Sequence, residues 1–260
     1  MRLIHRILFL ALALLAGPGA AQGQALTLEL ESADGPITLT VGSRLSRDSA
    51  TDTLVFEGGV QLLREPDLLI IADQASLDLE GNSGGIGTLG GNFDALRLSG
   101  QIYARLSDTE IQGDEILVSQ SSESFLATGS PLIFQAGEQR LQTSGQIEGV
   151  LSTRTFTATG GVTAEVEGAL VQAETIEITL PEAGDIEAIP AIKASGAVYL
   201  RVEEAEVWAG QIRSDETGTW FYFSGGVTVI SPDSQIRAET AWFNRQTQAF
   251  SLGQVPPSGG

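Results

Sequence analysis

Apolar and polar residues alternate along this chain in short blocks, and glycine interrupts the alternation at recurring places. The clearest interruptions read "VFEGGVQLL" at 55–63, "TATGGVTAEV" at 157–166, "KASGAVYLRV" at 193–202 and "FYFSGGVTVI" at 221–230. Weaker copies are "RLSGQIYARL" at 97–106 and "LATGSPLIFQ" at 126–135. Taking the first glycine of each as an anchor gives Gly58, Gly100, Gly129, Gly160, Gly196 and Gly225. Two and four residues further on stand Val60 and Leu62, Ile102 and Ala104, Pro131 and Ile133, Val162 and Ala164, Val198 and Leu200, Val227 and Val229. A period of two marks a strand with one buried face, and the β-branched content agrees.

A second half follows each anchor at 14 or 15 residues, centred on Asp73, Asp114, Ser144, Glu174, Gly210 and Glu239. Three residues before each centre is an aliphatic: Ile70, Ile111, Leu141, Val171, Val207 or Ile236. One residue before it is small, and two and four residues after it the apolar pattern resumes, as at Ile176 and Ile178. Apolar positions at −3 and −1, then +2 and +4, have opposite parity. A flat strand cannot do this, so the chain bulges or turns a corner at each centre. The anchor glycines are read as the same corners, where φ is positive or another backbone comes close. A repeat of roughly thirty residues with no helical period predicts an all-β fold of stacked β rungs.

"EGNSGGIGTLGGNFD" at 80–94 and "PEAGDIEAIPA" at 181–191 read as loop insertions between rungs, and "VPPSGG" at 255–260 as a flexible tail. The repeat resumes unchanged after both insertions, so residues 26–254 are read as a single domain. The first 25 residues carry Arg2 and Arg6, an apolar stretch from Ile7 to Ala16, then Gly17, Pro18 and small residues. This is the order of a secretory signal peptide, with cleavage after Ala25, Ala21 or Gly23; the alternative is an uncleaved anchor. No cysteine follows it, which excludes a lipoprotein anchor, and an exported location is expected.

Composition removes whole classes of chemistry. The chain has no cysteine, and its single histidine, His5, lies in the signal segment. A mature chain without either runs no Ser–His–Asp or Cys–His mechanism and lacks the usual zinc ligands. Net charge is −19, becoming −21 without Arg2 and Arg6 (12 basic against 33 acidic residues). Such a surface repels nucleic acid and anionic membranes. Asp73, Asp114, Glu174 and Glu239 form a carboxylate ladder at one corner of successive rungs, read as solvated; no metal and no cofactor is expected. Trp208, Trp220, Phe221, Tyr222, Phe223, Trp242 and Phe243 crowd the last two rungs, as a hydrophobic cap or an amphipathic rim.

The combination of "LVFEGGVQLLREPDLLIIADQASLDLEG" at 54–81 and "WFYFSGGVTVISPDSQIRAETAWFNRQTQAFSLG" at 220–253 resembles the periplasmic lipopolysaccharide-transport protein A family and the related organic-solvent-tolerance-like domain. The resemblance covers essentially all of residues 26–253. It implies an open, twisted β-jelly-roll of about six repeats with an N-terminal half-rung, which "ITLTVGSRLSRDSATDTLVFEGGV" at 37–60 fits. It further implies a periplasmic, non-enzymatic protein whose apolar groove shields the acyl chains of lipopolysaccharide or a related lipid. Such molecules stack head to tail, with copies of themselves or with similar jelly-roll domains of inner- and outer-membrane components, and bridge the two membranes. The chain departs from the family pattern in its two insertions, in Gln146 and Glu148 where other rungs carry apolar residues, and in its acidity.

The phase of the repeat nominates Val60, Leu62, Ile70, Ile102, Val162, Ala164, Ile176, Ile178, Val198, Leu200, Val207, Val227, Val229 and Ile236 as groove-lining residues. Two other classes of function fit a secreted β stack: a solenoid acting on or binding polysaccharide through carboxylate pairs, and an adhesive surface protein. The carboxylates are spread along the rungs instead of gathered at one cleft, which argues against the enzyme.

Overall fold

The computed structural model describes residues 25–30, 36–48, 50–51, 53–79, 93–107, 109–119, 122–150, 152–166, 168–179, 191–215, 219–247 and 249–253. The segment read as a signal peptide (its last residue aside), most of both expected insertions and the expected tail lie outside the described residues. The first inserted segment ends earlier than the sequence suggests, because strand resumes at Phe93, and Ala191, assigned to the second, already belongs to a strand. Among the described residues there is no helix, and thus none long and apolar enough to cross a membrane. The chain divides into two compact units, residues 1–136 and 137–260.

Unit 1 contains β1 (Leu26–Leu30), β2 (Ile37–Val41), β3 (Arg44–Asp48), β4 (Thr53–Arg64), β5 (Leu68–Leu79), β6 (Phe93–Leu106), β7 (Thr109–Ser119), β8 (Ser124–Thr128) and β9 (Leu132–Ala136). Unit 2 contains β10 (Gln139–Thr143), β11 (Gln146–Val150), β12 (Thr155–Val166), β13 (Ala169–Thr179), β14 (Ala191–Val202), β15 (Ala205–Ser214), β16 (Trp220–Ser231), β17 (Ser234–Asn244) and β18 (Phe250–Leu252). All pairing is antiparallel between consecutive long strands, so each repeat is a hairpin of two long strands and not a coil of a solenoid.

Each long strand bends at its middle. In β4–β5 the register runs Glu57↔Gln74 and then Val60↔Ala72, so Gly58 and Gly59 face the single residue Asp73. The same two-against-one bulge recurs in the β6–β7, β12–β13, β14–β15 and β16–β17 pairs. This explains the parity flip. Inward residues on the anchor strand are four apart across the bulge, as in Phe56 and Val60, Ala158 and Val162, or Ala194 and Val198. On the centre strand they are three apart, as in Ala72 and Ala75 or Ala209 and Ile212. The extra residue lets both strands keep their aliphatics on one side while the chain turns. One arm of each hairpin ends in a short turn and the other in the longer loops; both insertions lie on the long-loop arm.

The first bulge residue is a glycine with φ between 81° and 93° in all five hairpins. The second is glycine at 59, 161 and 226, but Ala197 occupies it in β14 with φ 51° and an exposed side chain. A left-handed alanine is strained by about 1–2 kcal/mol, partly offset by glycine's greater freedom in the unfolded chain. Ala197→Gly is therefore expected to stabilise the protein by about 0.5–1 kcal/mol, read as a rise in the calorimetric midpoint. An unchanged or lower midpoint would mean the corner does not hold residue 197 in that conformation.

Two rungs depart from the pattern. Around Ser144 the centre is broken into β10 and β11 by Ser144 and Gly145, which add one residue. Ile147, not Gln146, then points inward at 8% exposure, and Glu148 is exposed. This rung has an ordinary apolar face, contrary to the phase read from the sequence. Its corner is held by polar side chains: Thr143 Oγ1 donates to Thr159 O at 2.6 Å and Ser144 Oγ to Gly160 O at 2.7 Å. At Gly129 the anchor strand is likewise broken into β8 and β9, so Leu132 is fully buried while Ile133 is only half-buried. The N-terminal half-rung is present as β2 and β3, joined at Gly42, whose N–H donates to Gly59 O at 2.8 Å. The edge of β2 is covered by β1, which pairs with it along Leu26↔Val41 to Leu30↔Ile37.

The outer faces are mostly polar, with Ile71, Trp208 and Ile230 exposed among the polar residues. Cross-strand ion pairs Arg97–Glu115 and Lys193–Glu177 lie there, exposed and of small energetic weight. Stability comes from the inner faces, where each fully buried valine or leucine contributes about 1.5–3 kcal/mol.

Candidate functional site

In unit 2 the inner faces do not close completely. Leu200 and Val202 from β14 and Ala205 and Val207 from β15 form one wall of a cleft, on the short-turn arm. Phe243 from β17 and Phe250 from β18 form the opposite wall, on the long-loop arm. Ser231 at the end of β16, Pro232 of the β16–β17 turn and Glu203 and Glu204 of the β14–β15 turn complete the rim. The volume is about 170 Å³. A dry cavity of about 150 Å³ admits benzene, so this space takes one ring or a short run of methylenes.

The bend creates the cleft. Phe243 lies four residues beyond the centre Glu239 and pairs with Phe221, while Val207 lies three before the centre Gly210 and pairs with Leu200. Without the corner these residues would sit at distant points of a flat sheet. The Phe243 and Phe250 rings pack with centroids 4.8 Å apart, and Phe250 also contacts Phe223, which is wholly buried.

Of the nominated residues, Leu200 and Val207 line this cleft. Val162, Ala164, Ile176, Val198, Val227 and Val229 are buried in unit 2, and Val60, Leu62, Ile70 and Ile102 are buried in unit 1. Ile178 and Ile236 are only half-buried. Val202, Ala205, Phe243 and Phe250 were not nominated. Val202 and Ala205 continue the alternation by one more step, so a longer window on the repeat finds them, and Phe243 holds the same place four residues after its centre as Ile178 does. Phe250 stands beyond the last repeat and has no such signal.

The aromatic residues separate by face. Phe223 and Phe243 point inward, and Tyr222 and Trp242 pack together on the other face with centroids 4.8 Å apart, beside the Arg213 guanidinium at 4.7 Å from the Tyr222 ring. Trp208 is exposed and rests on Tyr199 at 5.3 Å. Tyr199 and Tyr103 hold equivalent outer positions and donate to Glu206 at 3.1 Å and to Glu110 at 2.9 Å. Desolvation and then the Glu206 bond raise the Tyr199 pKa; at Tyr103 the Glu110 bond leads. Both hydroxyls therefore stay protonated and act as donors.

The corner carboxylates have a structural task where their contacts are seen. Asp73 Oδ2 accepts from Gln101 N at 3.0 Å and Asp114 Oδ2 from Ser130 N at 3.1 Å, each satisfying a backbone N–H that the bulge leaves unpaired. Among the described residues no group of three His, Cys, Asp or Glu is gathered tightly enough to hold a metal ion.

No protein-family model matches the chain. None of the curated proteins matches it either. Among solved structures it is similar to LptH, described as the LptA homologous periplasmic component of the conserved lipopolysaccharide transport device from Pseudomonas aeruginosa. Identity is 14% and the TM-score 0.40, over 45% of this chain and 82% of that one. A likeness of that level says nothing about ligand or partner, and the site stands on its own geometry.

Proposed function

We propose that this is a periplasmic lipid-binding transport protein, without enzymatic activity. Its inward aliphatic faces shield the acyl chains of lipopolysaccharide or a related lipid on the way from the inner to the outer membrane. The observation that carries this reading is the cleft of unit 2. It opens between the two arms of the bent hairpins, and the repeat supplies most of its apolar lining, Phe250 apart. Burial of methylenes contributes about 0.8 kcal/mol each, so alkyl chains bind there without any catalytic or charged partner. The cleft as it stands holds only part of a chain; a full acyl chain needs the arms to part further along Val198, Val227 and Val229, which are now packed shut. Mass spectrometry of the protein purified under native conditions is expected to show a co-purifying acyl lipid. Release of sugars from acidic polysaccharides with no lipid bound would replace this reading with the polysaccharide one.

Assembly follows from the edges. On the short-turn arm β17 pairs with β16, and β18 covers only Ala241–Phe243, so among the described residues no strand covers the Ser234–Glu239 edge of β17. At the other end of the chain β1 carries an outer edge beyond β2. Unpaired edges are templates for pairing, and joining these two gives a heterologous, head-to-tail contact. The chain has no cysteine, so Thr27→Cys combined with Gln235→Cys or Arg237→Cys reports this contact cleanly. Mild oxidation is expected to give a ladder of covalent oligomers from the double variants and no more than dimers from the single ones. Monomer alone at high concentration would rule out the head-to-tail stack.

A further inference from the structure

On the outer face of the long-loop arm of unit 2, register aligns Glu177, Lys193, Arg213, Tyr222, Trp242 and Ser251 across six neighbouring strands. Their chain neighbours Ile176, Ala194, Ile212, Phe223 and Ala241 are buried on the inner face, away from this row. Lys193 is paired with Glu177 at 2.7 Å. Arg213 is exposed, and its cross-strand neighbours are Lys193 and Tyr222 instead of an acid. Its guanidinium lies 4.7 Å from the centre of the Tyr222 ring, and among the described residues no carboxylate is paired with it. The nearest acid along the chain, Asp215, accepts from Thr219 N at 2.9 Å and from Trp220 N at 3.1 Å. Trp242 packs against the same tyrosine, ring centroids 4.8 Å apart, and is 7% exposed. Its Nε1 is buried and has no acceptor among the described residues. A buried donor without an acceptor is costly, and like charges on opposing strands repel. In a chain of net charge −19, both needs converge on one ring, and one kind of group meets both: a negatively charged oxygen acceptor.

We infer that this row is a binding site for an oxyanion of the phosphate type, held between the Arg213 guanidinium and the Trp242 indole N–H beside the Tyr222 ring. Lys193, in register with Arg213, adds the second positive charge that a dianion needs. The next row on the same face, Gln211, Ser224 and Thr240, offers an amide and two hydroxyls to whatever carries the anion. The site faces away from the alkyl cleft, which opens on the inner face, so it stands or falls separately from the lipid reading.

The three tryptophans give three indole N–H resonances in an NMR spectrum of the full mature chain. Inorganic phosphate is titrated in at slightly alkaline pH, replacing sodium chloride at constant ionic strength. The Trp242 resonance is expected to move downfield and saturate as its N–H gains an acceptor, while that of Trp208, on the short-turn arm, stays in place. Arg213→Gln is expected to weaken phosphate binding about tenfold, the worth of one charge-assisted hydrogen bond. Glu177→Gln frees Lys193 and is expected to strengthen binding about twofold to threefold. Arg97→Gln, which removes an exposed arginine of unit 1 already paired with Glu115, changes nothing. Tighter binding of glucose 1-phosphate than of inorganic phosphate assigns the anion to a phosphorylated sugar whose hydroxyls meet Gln211, Ser224 and Thr240. Equal affinities assign it to free phosphate. No saturable shift of Trp242, the same shift with chloride alone, or an unchanged affinity in Arg213→Gln overturns the site.

Discussion

Val198→Glu is expected to cost unit 2 most of its stability at neutral pH. Val198 is 1% exposed and faces inward next to the β14 bulge, where a carboxylate finds no partner. A buried glutamate has its pKa raised by about 3–5 units, which at about 1.4 kcal/mol per unit is about 4–7 kcal/mol, before any crowding. Domains of this kind have about 5–15 kcal/mol in total. The sign with pH follows directly. A carboxyl whose pKa is higher folded than unfolded destabilises above its unfolded pKa, and the penalty fades as pH falls to about 4, where both states are protonated. Leu200→Glu, only two residues on, is expected to cost much less, about 1–3 kcal/mol, because Leu200 lines the cleft and its carboxylate reaches water at the mouth. Chemical denaturation of both variants at pH 7 and pH 4.5 checks this. Equal losses at the two positions would mean that the cleft is closed to solvent, and no loss at Val198 would mean that the inward phase is wrong.

Gly100→Ala is expected to cost about 3–5 kcal/mol, far more than a glycine on a sheet surface normally would. Gly100 has φ 91°, and a Cβ there would lie 2.4 Å from Asp73 Cβ and 2.2 Å from its Oδ2. Moving Asp73 aside also breaks its bond to Gln101 N. Gly59 separates the two causes, since its φ is 93° but nothing lies within 4 Å of its would-be Cβ. Gly59→Ala should therefore cost only the backbone part, about 1–2 kcal/mol. In an Asp73→Gly background the cost of Gly100→Ala should fall towards that smaller value, a coupling that a double-mutant cycle measures. Additive effects of the two substitutions would show that the corner is not held by this contact.

The repeat of roughly thirty residues, the corners and most inward positions were legible in the amino-acid order, while the antiparallel hairpin pairing of each repeat was not. Val162, Val198 and Val227 share one place in the repeat and are all 1–2% exposed. Those features are local: a period of two sets the face, and glycine at positive φ sets the bend, before any distant contact forms. Where one residue was added, as at Gly145, or where Leu132 took the place assigned to Ile133, the assigned phase failed. A single residue reverses every following side chain in a strand, and only pairing with a neighbour decides which reversal occurs. The same limit applies to the site. Residue type and phase identify Leu200 and Val207 as inward, as they do Val198 and Val229, and cannot say which of them borders empty space. That depends on how far the two arms close on each other, which Phe243 and Phe250 settle from the opposite wall. The covering of β2 by β1 is likewise a tertiary fact. Two edges with free backbone groups pair when the chain brings them side by side, whatever their side chains say.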